Sequence, residues 1–97
     1  MCHVFASQAP NRYASETRRL RLNGQSTSIR LENAFWLILD EIAAGDGLST
    51  PAFISKLHAE VLELHGEPEN FTSLLRCACL VFIDKARSRR LASIAAE

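Results

Sequence analysis

The side chains best placed to do chemistry in this sequence are arginines. Arg18, Arg19 and Arg21 lie among leucines in Arg18-Arg19-Leu20-Arg21-Leu22, and Arg30 sits between Ile29 and Leu31. A guanidinium stays charged at any physiological pH and presents a planar fork of donors, which suits phosphates and other oxyanions. The other reactive types carry less. Cys2, Cys77 and Cys79 are odd in number, with neither Cys-x-x-Cys nor zinc-knuckle spacing. Buried packing of Cys77 and Cys79 in a reducing cytoplasm is therefore expected, rather than a disulfide scaffold. His58 and His65 stand seven residues apart, about 10 Å along a helix axis, too far to share one ion. Polar surface or subunit contacts are expected for them. Nothing in the spacing favours a mixed metal site built on Cys2-His3. Asp40, Glu41, Glu60 and Glu63 fall on the polar sides of helices, and a short chain has little enclosure to split their pKa values. With no phosphate-cradling glycine loop and no nucleophile beside a base, no catalytic residue, metal or cofactor is expected, and an enzymatic role is set aside.

Charge distribution strengthens the anion reading. The chain has 97 residues, 47% of them apolar, and zero net charge. That suits one globular domain. Residues 1–31 hold Arg12, Arg18, Arg19, Arg21 and Arg30 against Glu16 alone, a balance of +4. Residues 32–84 set nine acids against Lys56 and Arg76, for −7, and residues 85–97 set Lys85, Arg87, Arg89 and Arg90 against Glu97, for +3. Such asymmetry points to a local polyanion-binding surface on an acidic body; a solvated basic segment without a partner is the bland alternative. No apolar run approaches the roughly 20 residues that cross a bilayer. Met1-Cys2-His3-Val4-Phe5 lacks the basic start and apolar stretch of a secretory leader, so a cytoplasmic protein without membrane contact is expected.

The elements that must position these arginines follow from periodicity. Residues 1–16 read as an irregular segment with a turn at Ala9-Pro10-Asn11. Residues 17–31 read as a β-hairpin, because Asn23-Gly24 is a strong two-residue turn signal between alternating runs. That turn sets Leu22 opposite Gln25, Leu20 opposite Thr27 and Arg18 opposite Ile29 on one face. On the other face it sets Arg21 beside Ser26 and Arg19 beside Ser28. A flexible basic arm, or a strand covering an edge, is the alternative for 17–22. From Asn33 to about Ala44 the period becomes helical, with Phe35, Ile38, Leu39 and Ile42 on one stripe. Gly45-Asp46-Gly47 ends that helix. Ser49-Thr50-Pro51 starts a second helix carrying Phe53, Ile54, Leu57, Val61 and Leu64, which closes near His65-Gly66. Pro68-Glu69-Asn70 opens a third helix from Phe71 to about Ala86. Its middle, Cys77 to Ile83, is apolar nearly all round and is expected to be buried on more than one side. The chain thus divides into an irregular segment 1–16, a core 17–66 and a third helix with basic tail 67–97.

One strand and two short helices cannot close a core alone, so a twofold dimer is expected, its strands pairing antiparallel and its helices interlocking. Residues 26–65 resemble the ribbon-helix-helix DNA-binding family, which includes the Arc and methionine repressors. The resemblance is carried by Ser26-Thr27-Ser28-Ile29-Arg30-Leu31-Glu32, the stripe Phe35/Ile38/Leu39/Ile42, the Asp46-Gly47 turn and the Ser49-Thr50-Pro51 helix start. Residues 1–83 look most like a group of stand-alone bacterial members. Those are marked by Thr27-Ser28-Ile29-Arg30-Leu31-Glu32 leading to Phe35-Trp36, by Thr17-Arg18 and Leu20-Arg21-Leu22 upstream, and by Asn70-Phe71 downstream.

The resemblance implies a mainly α fold with a short β-ribbon, an N-terminal hairpin extension and an added C-terminal helix. It implies a homodimer whose core holds Ile29, Leu31, Phe35, Trp36, Ile38, Leu39, Ile42, Phe53, Ile54 and Leu57. Its expected partner is double-stranded DNA, read by the ribbon in the major groove with Ser26, Ser28 and Arg30 at base edges. Ser49 and Thr50, at the second-helix start, are expected at a phosphate. A dimer that pairs the hairpins would have four strands, about three 4.8 Å spacings wide, somewhat wider than a groove of about 12 Å. That places Arg19 and Arg21 at flanking phosphates. The expected function is sequence-specific transcriptional regulation, as a repressor. The alternative is an antitoxin-like or oligomer-forming protein-interaction module that uses the third helix, with weak or no DNA binding.

Overall fold

The computed structural model describes residues 2–96. Two short helices, α1 (Cys2–Ala6) and α2 (Pro10–Tyr13), lead into β1 (Ser15–Leu22) and β2 (Gln25–Glu32). Three helices follow: α3 (Asn33–Gly45), α4 (Thr50–His65) and α5 (Phe71–Ala96).

The two strands form an antiparallel pair closed by Asn23 and Gly24, whose φ angles are 55° and 82°. Positive φ at both central positions is what the two-residue hairpin turn demands, and asparagine and glycine tolerate it best. The register sets Leu22 opposite Gln25, Leu20 opposite Thr27 and Arg18 opposite Ile29, with Arg21 beside Ser26 and Arg19 beside Ser28. The hairpin is thus paired as the turn chemistry requires. Leu20, Leu22, Ile29 and Leu31 are buried, while Arg19, Arg21, Ser26, Ser28 and Arg30 are exposed.

Under the ribbon, Trp36 and Leu39 of α3, Ile54 of α4, and Leu75 and Cys79 of α5 complete the core. Phe35, Ile38, Ile42, Phe53 and Leu57 pack against it and remain partly exposed. β1 rests on α4, whereas β2 rests on α3 and α5. Leu31, Trp36, Leu39, Ile54, Leu75 and Cys79 are each under 2% exposed within a single chain. Strand β1 and helix α5 supply part of the cover that a bare strand-helix-helix unit lacks.

Four readings are corrected. The segment read as irregular, 1–16, holds two helices and the start of β1 over its described residues 2–16. Pro10 presets the first turn of α2, and Asn33 holds that helix in place: its Nδ2 donates to the Asn11 carbonyl at 2.8 Å and its backbone N–H to the Ala14 carbonyl at 2.9 Å. Helix α5 continues through the basic tail to Ala96 rather than ending near Ala86. No proline or glycine interrupts 71–96 and alanine and arginine are strong helix formers, so the helix runs on past the part that packs on the core. The segment Cys77 to Ile83 is not buried on several sides: Leu75 and Cys79 face the core, while Cys77, Leu80, Val81 and Ile83 are exposed. His58 is also not on the surface; it is 8% exposed, with its ring edge-on to Phe71 at 4.9 Å.

Candidate nucleic-acid interface

The outer face of the ribbon presents Thr17, Arg19 and Arg21 from β1 and Ser26, Ser28 and Arg30 from β2, all exposed. The period of two fixes this sorting, because a one-residue shift would exchange the two faces. Among the described residues none of these three arginines makes a salt bridge. Arg21 only donates from Nη1 to the Gly24 carbonyl, at 3.4 Å. The six positions contain no acid. Glu32, next on the same side of β2, is held by Arg76 at 3.0 Å.

The inward arginine behaves differently. Arg18 donates from Nε to Glu16 at 2.7 Å and from Nη1 to Asp40 at 2.9 Å, and its guanidinium lies 4.4 Å from the Trp36 ring centroid. The hydrogen bond from Arg18 keeps the Asp40 carboxyl below its ordinary range, helped by Thr50, against a desolvation penalty. Asp40 in turn pushes Arg18 further up. Glu32 is also held low, by its own backbone N–H and then by Arg76. Adjacent arginines therefore divide: Arg18 is neutralised inside the fold, and Arg19 is presented to solvent.

The start of α4 is more committed than the sequence suggests. The Ser49 hydroxyl accepts from Ala52 N–H at 3.2 Å as the N-cap. The Thr50 hydroxyl donates to Asp40 at 2.6 Å. Phe53 N–H is bonded to the Ser49 carbonyl, and Pro51 has no N–H. What remains for an anion is the Thr50 N–H and the Ser49 hydroxyl proton, beside a carboxylate. The sequence holds two hints of this cluster, neither of which singles out the acid. Arg18 sits on the buried-face register and needs an acid, and Asp40 lies one helical turn after Trp36 on the same stripe. Trp36 itself is core, with its indole N–H donated to the Glu16 carbonyl at 2.8 Å.

Other candidates stay apart from this face. Cys79 is buried, its thiol 3.7 Å from the Phe35 carbonyl and its pKa pushed up to about 11 by desolvation, whereas Cys77 is exposed. Among the described residues no three metal-ligating side chains cluster, and no helix is long and apolar enough to cross a membrane.

Residues 15–83 match the family model of the ribbon-helix-helix domain. No curated protein matches the chain. Among solved structures, an uncharacterized protein from Bordetella pertussis Tohama I is 42% identical, with a TM-score of 0.86 over 92% of this chain and 72% of that one. A two-stranded antiparallel ribbon running into a helix pair, matched over most of its length at the level of sequence and fold, makes this chain a member of the ribbon-helix-helix family.

Proposed function

We propose that the protein is a sequence-specific DNA-binding transcriptional regulator, a repressor that acts as a homodimer and inserts its β-ribbon into the major groove. The observation that carries this reading is the outer ribbon face, with three arginines that pair with no carboxylate among the described residues and no acid among its six positions. A two-stranded ribbon fits the major groove, and a guanidinium can bond guanine O6 and N7 together. Arg30 is the principal base contact in this reading; Ser26 and Ser28 add adaptable hydrogen bonds. The Thr50 N–H and the Ser49 hydroxyl meet a phosphate, an interaction weakened by the neighbouring Asp40. The fold family is one of binding rather than catalysis, and the work is placed in the cytoplasm. The test is Arg30→Ala: affinity for a selected duplex falls by about 1–3 kcal/mol with the fold intact. Undiminished binding by that variant sinks the readout.

A second reading has its own observation. Leu80, Ile83, Leu91 and Ile94 are exposed on one side of α5, around Arg87. This stripe suits a protein contact, either a second copy or an antitoxin-type partner, with DNA binding subordinate. A folded protein that binds no duplex at low salt would favour it.

A further inference from the structure

We infer that Asp40 is an internal anion that competes with a DNA phosphate for the start of α4, and that Arg18 is the positioning residue that holds it there. This rests on the DNA-binding reading above and adds a residue that restrains affinity without touching DNA. The first turn of a helix gathers unpaired N–H groups and a partial positive charge, so an anion beside it is stabilised. In this fold an anion is already there, and it comes from a different element. Asp40 of α3 accepts from the Thr50 hydroxyl at 2.6 Å, and Thr50 is the first residue of α4. Arg18 donates to the same carboxylate twice, from Nη1 to Oδ1 at 2.9 Å and from Nη2 to Oδ2 at 3.2 Å. That two-point fork fixes the plane of the carboxylate as well as its charge. Arg18 is itself anchored, by Glu16 at its Nε and by the Trp36 ring, whose centroid lies 4.4 Å from the guanidinium carbon.

The charges give this a sign. One cation, Arg18, serves two acids, Asp40 and Glu16. A phosphate that reaches the Thr50 N–H or the Ser49 hydroxyl therefore meets a carboxylate bonded to the Thr50 side chain, and like charges repel. Asp40 is held below its ordinary range by Arg18 and Thr50, so it carries its charge throughout the neutral region. The Arg18 and Asp40 side chains are 32% and 39% exposed, so water and salt screen the repulsion and keep it modest. Asp40→Asn keeps the shape and an oxygen that accepts from Thr50 while removing the charge, so a phosphate gains. Arg18→Gln does the reverse, leaving two acids without their cation. The ion pair that ties β1 to α3 thus costs duplex affinity, and Asp40→Asn moves stability and affinity in opposite directions. A purely structural role for Asp40 gives no such gain.

The experiment is an anisotropy titration of a labelled generic duplex over a salt series with the full-length protein. Wild type is compared with Asp40→Asn, Arg18→Gln, the double variant and Glu16→Gln, each held well below its melting midpoint. In the expected result Asp40→Asn melts lower than wild type yet binds about 2- to 5-fold tighter at low salt, and the gain shrinks as salt rises. Arg18→Gln binds more weakly by a similar factor, and the double variant returns close to wild type. Glu16→Gln, whose carboxylate meets the Arg18 Nε rather than α4, gains less than Asp40→Asn. The proposal is overturned if Asp40→Asn binds no tighter than wild type. It is also overturned if Glu16→Gln gains as much, which would make net charge alone the cause. Should Arg18→Gln not fold, Asp40→Asn and Glu16→Gln decide on their own. If neither wild type nor Asp40→Asn binds duplex, the DNA-binding reading falls and this proposal with it. A wild type that binds, beside an Asp40→Asn protein that gains nothing, removes this proposal alone.

Discussion

Arg18 and Arg19 are neighbours with opposite fates, and the period of two decides which is which. Arg18 points under the ribbon and ends on Asp40, which also accepts from Thr50, so one carboxylate ties β1, α3 and α4 together. Arg19 points outward and has no carboxylate partner among the described residues. Asp40→Asn should lower stability at neutral pH by about 0.5–1 kcal/mol, a modest figure because Arg18 and Asp40 are both about a third exposed to water. The folded-state pKa of Asp40 lies below the ordinary value near 3.9. The wild-type advantage is therefore complete above pH ~4 and drains away as pH falls through the lowered folded value. Urea titrations of both proteins at pH 7 and at pH 3 check this; an advantage that persists undiminished in acid refutes the pairing. The faces of these side chains were legible from alternation alone, but the partner of Arg18 was not. Periodicity assigns a residue to a side of its own element and says nothing about which acid on another helix comes within 3 Å.

Among the elements, those with strong local chemistry were readable and those depending on neighbours were not. Asn23-Gly24 forces a turn and, with it, the full register. Ser49 caps α4 as its position before Thr50-Pro51 requires. Helices α1 and α2 have no periodic apolar face, and α2 is held by hydrogen bonds from Asn33, 22 residues from Asn11. Such long-range anchoring leaves no trace in local pattern. The far half of α5 is hard to read for the opposite reason: its helix propensity is high, yet its described residues lie exposed and pack on no other element. Gly24→Ala tests the turn. A Cβ there would meet no atom within 4 Å, so the cost is conformational only. At φ of 82° that cost is about 1–2 kcal/mol, worth roughly 4–8 °C in Tm per kcal/mol for a domain of this size. A thermal melt reads it. An unchanged midpoint would mean that the turn does not hold the hairpin register.

At the scale of the molecule, a basic ribbon and a basic helix end flank an acidic middle, and the two basic parts are built differently. The ribbon is locked to the core through Leu20, Leu22, Ile29 and Leu31, whereas α5 is exposed at every described position beyond Phe82. The core therefore has no stake in residues 86–97, and their removal leaves the denaturation midpoint where it was. The two readings of that helix end then part. If Arg87, Arg89 and Arg90 lie near phosphates, truncation flattens the salt dependence of duplex binding by about 0.9 in slope for each phosphate no longer neutralised, and the subunit number is unchanged. If Leu91 and Ile94 belong to a subunit interface, sedimentation of the truncated protein shifts toward monomer, and binding weakens because two ribbons no longer arrive together. The DNA reading expects the first outcome. Three ribbon arginines give limited non-specific affinity on their own, and Lys85, Arg87, Arg89 and Arg90, which make no salt bridge among the described residues, would add to it.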